Sequence, residues 1–200
     1  PLWMKDKFLS QIEKVRKAAL EGKPAFIRAK MNSLSDMDMI EALYAASAAG
    51  VQIDLVVRGI CCLKVGIKGI SENIRVKSIV GNFLEHARIF RFHADGEESI
   101  YLGSADWMPR NLENRVEIVF PVVDPVIQER IRHYLDTEIA DNVKASVYMP
   151  DGSYKKQNLH GKKKVNSQEQ FCEEAEEAAK AVMAAQKKAG KKRVFTPAAG

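Results

Sequence analysis

The stretch AFIRAKMNSLSDMDMIEALYAASAAGVQIDLVVR, from Ala25 to Arg58, decides the fold. Ala25 to Lys30 is a short strand candidate, and Val51 to Val57 is nearly continuous and β-branched, as a strand buried on both faces requires. Between them Ile40, Leu43, Tyr44 and Ser47 recur at helical spacing. Ser35, with Asp38 three residues later, makes an acidic variant of a capping box, and Gly50 closes the helix. A strand, a helix and a parallel strand follow in order, which predicts an α/β core.

Working outward, Phe8, Ile12, Val15 and Ala19 recur at helical spacing until Gly22, Lys23 and Pro24 break the pattern, so the opening segment reads as an amphipathic helix. Downstream, Ile74 to Val80, His86 to Phe92, Ser99 to Gly103 and Arg115 to Val122 are strand candidates, with a helix from about Pro125 to Ile139. After Asp141 the composition shifts. Val143 to Met149 reads as a last edge strand, and Pro150 to Val165 as a polar, lysine-rich surface extension. Ser167 and Gln170 form a capping box ahead of Phe171, Ala175, Ala178, Val182 and Met183, which predicts an amphipathic helix ending near Gly190 and then a disordered basic tail. The expected division is a core domain over 1–149 and an appendage over 150–200 that the core can lose.

The 200 residues are 46% hydrophobic, enough for a real core. A net charge of +5 and a pI near 9.1 favour acidic partners, whether nucleic acid, phosphate polymers or anionic membrane, without choosing among them. Of three cysteines, Cys61 and Cys62 are sequence neighbours; the pattern offers no disulfide framework, points to a reducing cytoplasm, and makes that pair small buried packing rather than redox or metal chemistry. No window approaches the roughly eighteen apolar residues of a membrane helix, and the N-terminus lacks a basic region followed by an apolar one. The chain starts at Pro1 directly in a helical pattern, as an excised piece of a longer polypeptide would.

Four segments carry chemistry. Lys30 to Leu34 lies where a strand ends and a helix begins, the place where α/β sheets bind ligands and where a helix N-terminus favours an anion; a capped loop with an incidental lysine is the competing reading. Arg58 ends a buried strand, and Gly59 lets the backbone turn, so the arginine's forked donors suit bidentate phosphate contact or a structural salt bridge. In Phe83 to Phe92, period-two alternation puts His86, Arg88 and Phe90 on one face, so that His86 could exchange a proton with a phosphoryl oxygen or serve structurally. Tyr101 to Asn111 is a strand ending in Gly103, Ser104 and a polar run. The order His86, x, Arg88, then Gly103-Ser-Ala-Asp106 resembles the H-x-K and G-S-x-N pattern of the phospholipase D superfamily, with arginine for lysine, aspartate for asparagine and no acidic residue shortly after.

Together, Ala29-Lys-Met-Asn-Ser-Leu, Val57-Arg-Gly-Ile-Cys-Cys-Leu, Ser78-Ile-Val-Gly-Asn-Phe-Leu-Glu-His-Ala-Arg and Gly103-Ser-Ala-Asp-Trp-Met-Pro-Arg-Asn-Leu with Arg115-Val-Glu resemble the C-terminal domain of long-chain polyphosphate kinases, over roughly Leu2 to Ile139. Asn82 stands where many relatives carry a basic residue. The resemblance implies a phospholipase D-like α/β mixed sheet flanked by helices, here with a C-terminal helical extension. It implies reversible, Mg2+-dependent transfer of the terminal phosphate of ATP to inorganic polyphosphate through a phosphohistidine on a preceding domain. Arg58 and His86 match the family's nucleotide-binding arginine and second active-site histidine. Lys30, Asn32, Arg88, Ser104, Asp106 and Arg110 are the expected phosphate or polyphosphate contacts. The Mg2+ positions fall in the preceding domain, leaving no metal ligand here. ATP, ADP and polyphosphate are the implied partners, with no membrane span, nucleic acid disfavoured, and a cytoplasmic homo-oligomer, open to peripheral membrane association, expected at full length. A phospholipase D-type phosphodiesterase and a non-catalytic polyanion-binding module are the alternatives.

Overall fold

A computed structural model describes residues 3–189, and the expected disordered tail lies outside that range. Among the described residues, eight strands form one mixed sheet in the order β6-β5-β4-β1-β2-β3-β7-β8. The unit anticipated from Ala25 to Arg58 stands at its centre: β1 (Ala25–Met31), α2 (Met37–Ala48) and β2 (Gln52–Val57), with β1 and β2 parallel and Met31 opposite Val57. β3 (Ile74–Ile79) continues the parallel run beyond β2. On the other side β4 (Arg88–Ala94), β5 (Glu97–Gly103) and the three-residue β6 (Val119–Pro121) form an antiparallel meander.

Side-chain alternation gives the sheet two different faces. Ile27, Ala29 and Met31 of β1, Ile53, Leu55 and Val57 of β2 and Phe90 and Phe92 of β4 join the main core with α1 (Met4–Leu20) and α2, where Phe8, Ile12, Val15 and Ala18 are buried. The opposite parity, Arg28, Lys30, Asp54 and Arg91, belongs to the ionic face bordered by α4 (Pro125–Ala140). There Asp136 pairs with Arg28 at 2.7 Å and Arg91 at 3.1 Å, while a small apolar cluster of Ile89, Ile100, Ile131 and Leu135 completes the packing.

Several boundaries differ from the sequence reading. The α2 cap is Asp36, whose carboxylate accepts from the Met39 N–H at 3.1 Å. Ser35 is held one residue outside the helix, because the N–H groups of Ser35 and Asp36 both donate to the Trp107 carbonyl. β4 starts at Arg88, leaving His86 in the loop before it. The strand expected over Arg115 to Val122 contracts to Val119–Pro121, where the ladder with β5 exists. Cys61 is half-buried against the core and Cys62 is exposed, so only part of that pair is packing.

The largest correction concerns 150–200. β7 (Ala145–Tyr148) is not the last strand, since β8 (Tyr154–Lys156) pairs with it, and a boundary after Met149 falls inside this hairpin. Asn166, not Ser167, caps the closing helix α5 (Ser167–Ala189): its carbonyl accepts from Gln170 N–H at 3.0 Å. The Ser167 hydroxyl and N–H instead donate to the buried Asp141 carboxylate at 2.7 and 2.8 Å. The other oxygen of Asp141 accepts from the N–H groups of Val143, Lys144 and Ala145. Burial works against ionisation of Asp141, and these N–H donors overcome it and hold its carboxyl below the usual range. Phe171 stacks on Tyr134 of α4, ring centroids 4.4 Å apart.

Truncation after Met149 is therefore expected to lower stability by at least the 1–3 kcal/mol or so of an unsatisfied buried acceptor. Truncation after Lys180 removes only exposed described side chains and should leave the denaturation midpoint near that of the whole chain. Urea unfolding of both checks this; equal midpoints for the two truncations would contradict it.

Candidate active site

Strand direction brings the chemistry-bearing residues to one end of the sheet. β1, β2 and β3 are parallel, so the segments after Met31, Val57 and Ile79 leave from the same edge. β4 runs the other way and begins there, and the end of β5 returns there, with Arg88 opposite Gly103. Five strand ends, carried by four chain segments, thus converge where α/β sheets place ligands.

The segments are laced together by backbone. Leu34 donates to the Ile60 carbonyl at 2.8 Å and accepts from Cys62 N–H at 2.9 Å, forming isolated bridges to both Cys61 and Trp107. Trp107 is fully buried, stacked on Phe90 at 5.2 Å and edge-on to Phe8 at 5.6 Å, which fixes the Gly103 to Trp107 turn to the core. Gly59 N–H donates to the Asn32 carbonyl at 2.7 Å, and a Cβ at Gly59 would lie 3.0 Å from that oxygen, so a side chain would crowd the two crossing segments.

On this platform a chain of polar contacts runs from Arg58 to His86. Arg58 Nε donates to Asn32 Oδ1 at 3.0 Å, and Asn32 N–H donates to Asp106 Oδ1 at 2.7 Å. That same carboxylate receives Arg88 Nε at 3.2 Å, and Arg88 Nη1 donates to the His86 carbonyl at 2.7 Å. The His86 imidazole rests against the guanidinium, its Nδ1 2.8 Å from Nη1. Asp106 is buried, Arg58 half-buried and His86 exposed. One buried carboxylate thus orients one arginine directly and the other through Asn32, and Arg58 leaves its terminal guanidinium nitrogens outside this chain of contacts.

Five of the eight expected site residues, Asn32, Arg58, His86, Arg88 and Asp106, belong to this chain. Asp106 serves as an acceptor that organises donors, so it is a brace rather than a phosphate contact: a carboxylate repels the anion that its arginines attract. Ser104 donates its hydroxyl to Glu117 and accepts from Ile118 N–H at 3.1 Å, which fastens β5 to β6. Arg110 is exposed on the short helix α3 (Pro109–Leu112), and among the described residues no side-chain hydrogen bond or ion pair joins it to the Arg58–His86 chain.

Lys30 is a clear correction to the expected phosphate contacts. Its parity in β1 is that of Arg28, not Met31, so the ammonium points to the α4 face, where it is 1% exposed and paired with Glu85 and Glu138. Burial pushes the Glu138 carboxyl up to about 8 against the Coulombic pull of Lys30. Burial also works against ionisation of Glu85, but hydrogen bonds from Glu138, Lys30 and Gln168 hold its carboxyl below the usual range. The cluster then contains one cation, one carboxylate and one neutral acid, a balanced set in a place too dry for bare charge. Glu85, Glu138 and Gln168 went unread in the sequence. One signal was available: Glu138 occupies the position three residues after Leu135 and seven after Ile131, on the buried stripe of α4.

Cationic and amide donors braced by a buried carboxylate at the carboxyl end of a mixed sheet define an α/β domain whose ligand edge is built for an anion. The family model for the polyphosphate kinase C-terminal domain 2 matches residues 1–168, and the chain belongs to that family. It is 52% identical over 163 residues to a polyphosphate kinase of Lactiplantibacillus plantarum, covering 82% of this chain and 23% of that protein. The solved polyphosphate kinase of Porphyromonas gingivalis superposes with a TM-score of 0.83 at 38% identity, covering 88% of this chain and 28% of the other. NucT from Helicobacter pylori shares the fold, with a TM-score of 0.50 at 15% identity over 70% of this chain and 91% of that one. The chain spans 21–24% of the length of the curated relatives it matches.

The ionisation of Glu138 gives a pH test. With its carboxyl raised from 4.5 to about 8, the folded chain holds a proton that the unfolded chain releases, so this group costs stability increasingly as pH rises through that window. Glu138→Gln should gain on the wild type across it, by up to about 1.4 kcal/mol per pH unit. Urea midpoints between pH 5 and 8 measure the difference, and parallel curves would contradict the assignment.

Proposed function

We propose that this domain is the nucleotide-phosphate half of a polyphosphate kinase active site, which reversibly moves the terminal phosphate of ATP onto inorganic polyphosphate. The observation that carries the reading is the continuous chain Arg58–Asn32–Asp106–Arg88–His86 at the ligand end of the sheet. Membership of the family supports the substrate class.

In this reading a histidine of the preceding domain attacks the γ-phosphorus, the bond to the ADP oxygen breaks, and its electron pair stays on ADP. His86 faces the leaving oxygen and holds or donates a proton there. Arg88 Nη1 lies 2.8 Å from Nδ1 and 3.2 Å from Nε2 of His86, which keeps the ring beside that guanidinium. Arg58 contacts the nucleotide phosphates with its fork, and Arg58 and Arg88 together offset the charge that makes one phosphate's approach to another costly. Reversal uses the same groups.

Mg2+ supplies Lewis-acid stabilisation of phosphoryl oxygens in such chemistry. The donors converging here are guanidinium, amide and imidazole groups, and Asp106 is already engaged by Asn32 and Arg88, so the residues present do not fit a resident Mg2+. Among the described residues no group of three or more His, Cys, Asp or Glu side chains could hold a metal ion, and no step is assigned to one in this domain. The reading puts Mg2+ on ATP and the preceding domain. The free cysteines suit a cytoplasmic enzyme, and no described helix is long and apolar enough to cross a membrane. Assembly into a homo-oligomer at full length belongs to the same reading, and the exposed apolar side chains Val116, Ile118 and Phe120 offer a surface for either another domain or a second copy.

The reading requires a second domain, so the purified 200-residue chain should give no ATP from ADP and polyphosphate in a luciferase assay; measurable synthesis would overturn it. In the full-length enzyme His86→Ala should lower turnover by roughly two to four powers of ten with little change in nucleotide affinity. Arg58→Ala should weaken nucleotide binding as well as rate, by about 1.5–3 kcal/mol, and Arg58→Lys should restore only part because a point charge lacks the fork. Near-normal turnover of His86→Ala would return that histidine to a structural role, and phosphodiester hydrolysis by the intact enzyme would favour the phospholipase D-type alternative.

A further inference from the structure

His86 projects from a loop, residues 80–87, that has no regular structure and turns its large apolar side chains outward: Val80 is 71%, Phe83 59% and Leu84 68% exposed. No apolar anchor therefore accounts for its placement. Glu85, immediately before His86, points the other way and is 7% exposed in the pair with Lys30 and Glu138. Gln168, on the first turn of α5 and equally buried, grips the same loop. Its Oε1 accepts from Phe83 N–H at 3.2 Å; its Nε2 donates to the Phe83 carbonyl at 3.0 Å and to the second oxygen of Glu85. A Cβ on Gly81 would lie 2.3 Å from Gln168 Oε1, so the close seat of the loop on this amide needs glycine there. Gln168 is in turn fixed by its neighbour Ser167 on Asp141.

We propose that Glu85 and Gln168 are positioning residues for His86, so that the first turn of the C-terminal helix is a working part of the active site. A loop held by the main chain of Phe83 and the side chain of Glu85 has little freedom at the next residue, and this grip, together with the Arg88 guanidinium on the His86 carbonyl, sets the direction of the imidazole. Loss of the Gln168 amide frees the backbone on which His86 stands and leaves Arg58, Asn32 and Asp106 in place. The effect falls on the step His86 serves and not on nucleotide binding. The proposal rests on the assignment of His86 given above.

The test is a double-mutant cycle in the full-length enzyme, with Gln168→Met, which keeps length and removes both hydrogen-bonding groups, and His86→Ala. Gln168→Met alone should lower kcat about ten- to hundredfold, the scale of a misplaced reacting group, with nucleotide KM within twofold of wild type. It should speed amide exchange across residues 81–86 and leave β1 and β2 unchanged. In the His86→Ala background the same substitution should cost no further turnover. An equal loss in both backgrounds would make Gln168 merely structural and overturn the proposal, as would wild-type kcat in the single variant. Full activity of His86→Ala would instead overturn the reading of His86 itself. Should Gln168→Met fold poorly, Gly81→Ala, which wedges the loop away from the same amide, must give the same pattern or the proposal fails.

Discussion

The buried Asp106 carboxylate is the constraint on which the ligand end of the molecule depends, because it is shared between the backbone of Asn32 and the guanidinium of Arg88. Asn32 follows β1, Arg88 opens β4 and Asp106 follows β5, so one side chain sets the spacing of three sheet exits. Asn32 then passes the orientation to Arg58 at the end of β2. Arginines gathered around an anion repel one another before the anion arrives. A fixed carboxylate behind them lowers that repulsion, holding the Arg88 fork between Asp106 and His86 and leaving the terminal nitrogens of Arg58 outside the chain of contacts. Removing such a buried partner strands the charge it faced, at a cost of about 3–5 kcal/mol, which ties the stability of this edge to its chemistry.

The two faces of the sheet divide the work. The α1/α2 face is a continuous apolar core that supplies cohesion and seats Trp107 beneath the site. The α4 face is ionic, and its Lys30–Glu85–Glu138 cluster reaches the loop that carries His86. Such a cluster adds little net stability over apolar packing, yet its hydrogen-bonding geometry admits few alternatives, which suits a loop whose backbone direction matters. α5 enters the same arrangement through Ser167 and Gln168, and for that reason the chain beyond Met149 is joined to the site rather than appended to it.

The central strand–helix–strand unit, the order of the later strands and the two long helices before Asp141 were legible because each carries its own hydrophobic period. Arg58 and Arg88 were legible as cations at strand ends. His86 and Asn32 gained weight from the family motifs rather than from spacing alone. Lys30 was misplaced because the strand was read as ending there, at the ligand edge, whereas β1 continues to Met31 and alternation with Ala29 and Met31 assigns Lys30 to the α4 face. The Glu85–Glu138–Gln168 contacts join segments far apart in sequence and leave no local period to read. The polar composition after Pro150 suggested an appendage because hydrogen bonds to Asp141 and Glu85, unlike an apolar stripe, do not mark a segment as buried. The capping sites shifted by one residue for a tertiary reason at α2, where the Trp107 carbonyl holds Ser35 outside the helix.

The central claim is that Arg58 and His86 form a single anion site held by the Asp106 brace. Side-chain NMR of the 200-residue chain, titrated with ADP and then with short-chain polyphosphate, tests it most directly. The account predicts that the Arg58 Nε–H and His86 ring resonances shift together along one saturation curve, that the curve weakens as salt rises, and that Arg58→Ala abolishes the shift at His86. Saturable binding that moves only lysine resonances in residues 155–164 and leaves Arg58 and His86 unchanged would contradict it.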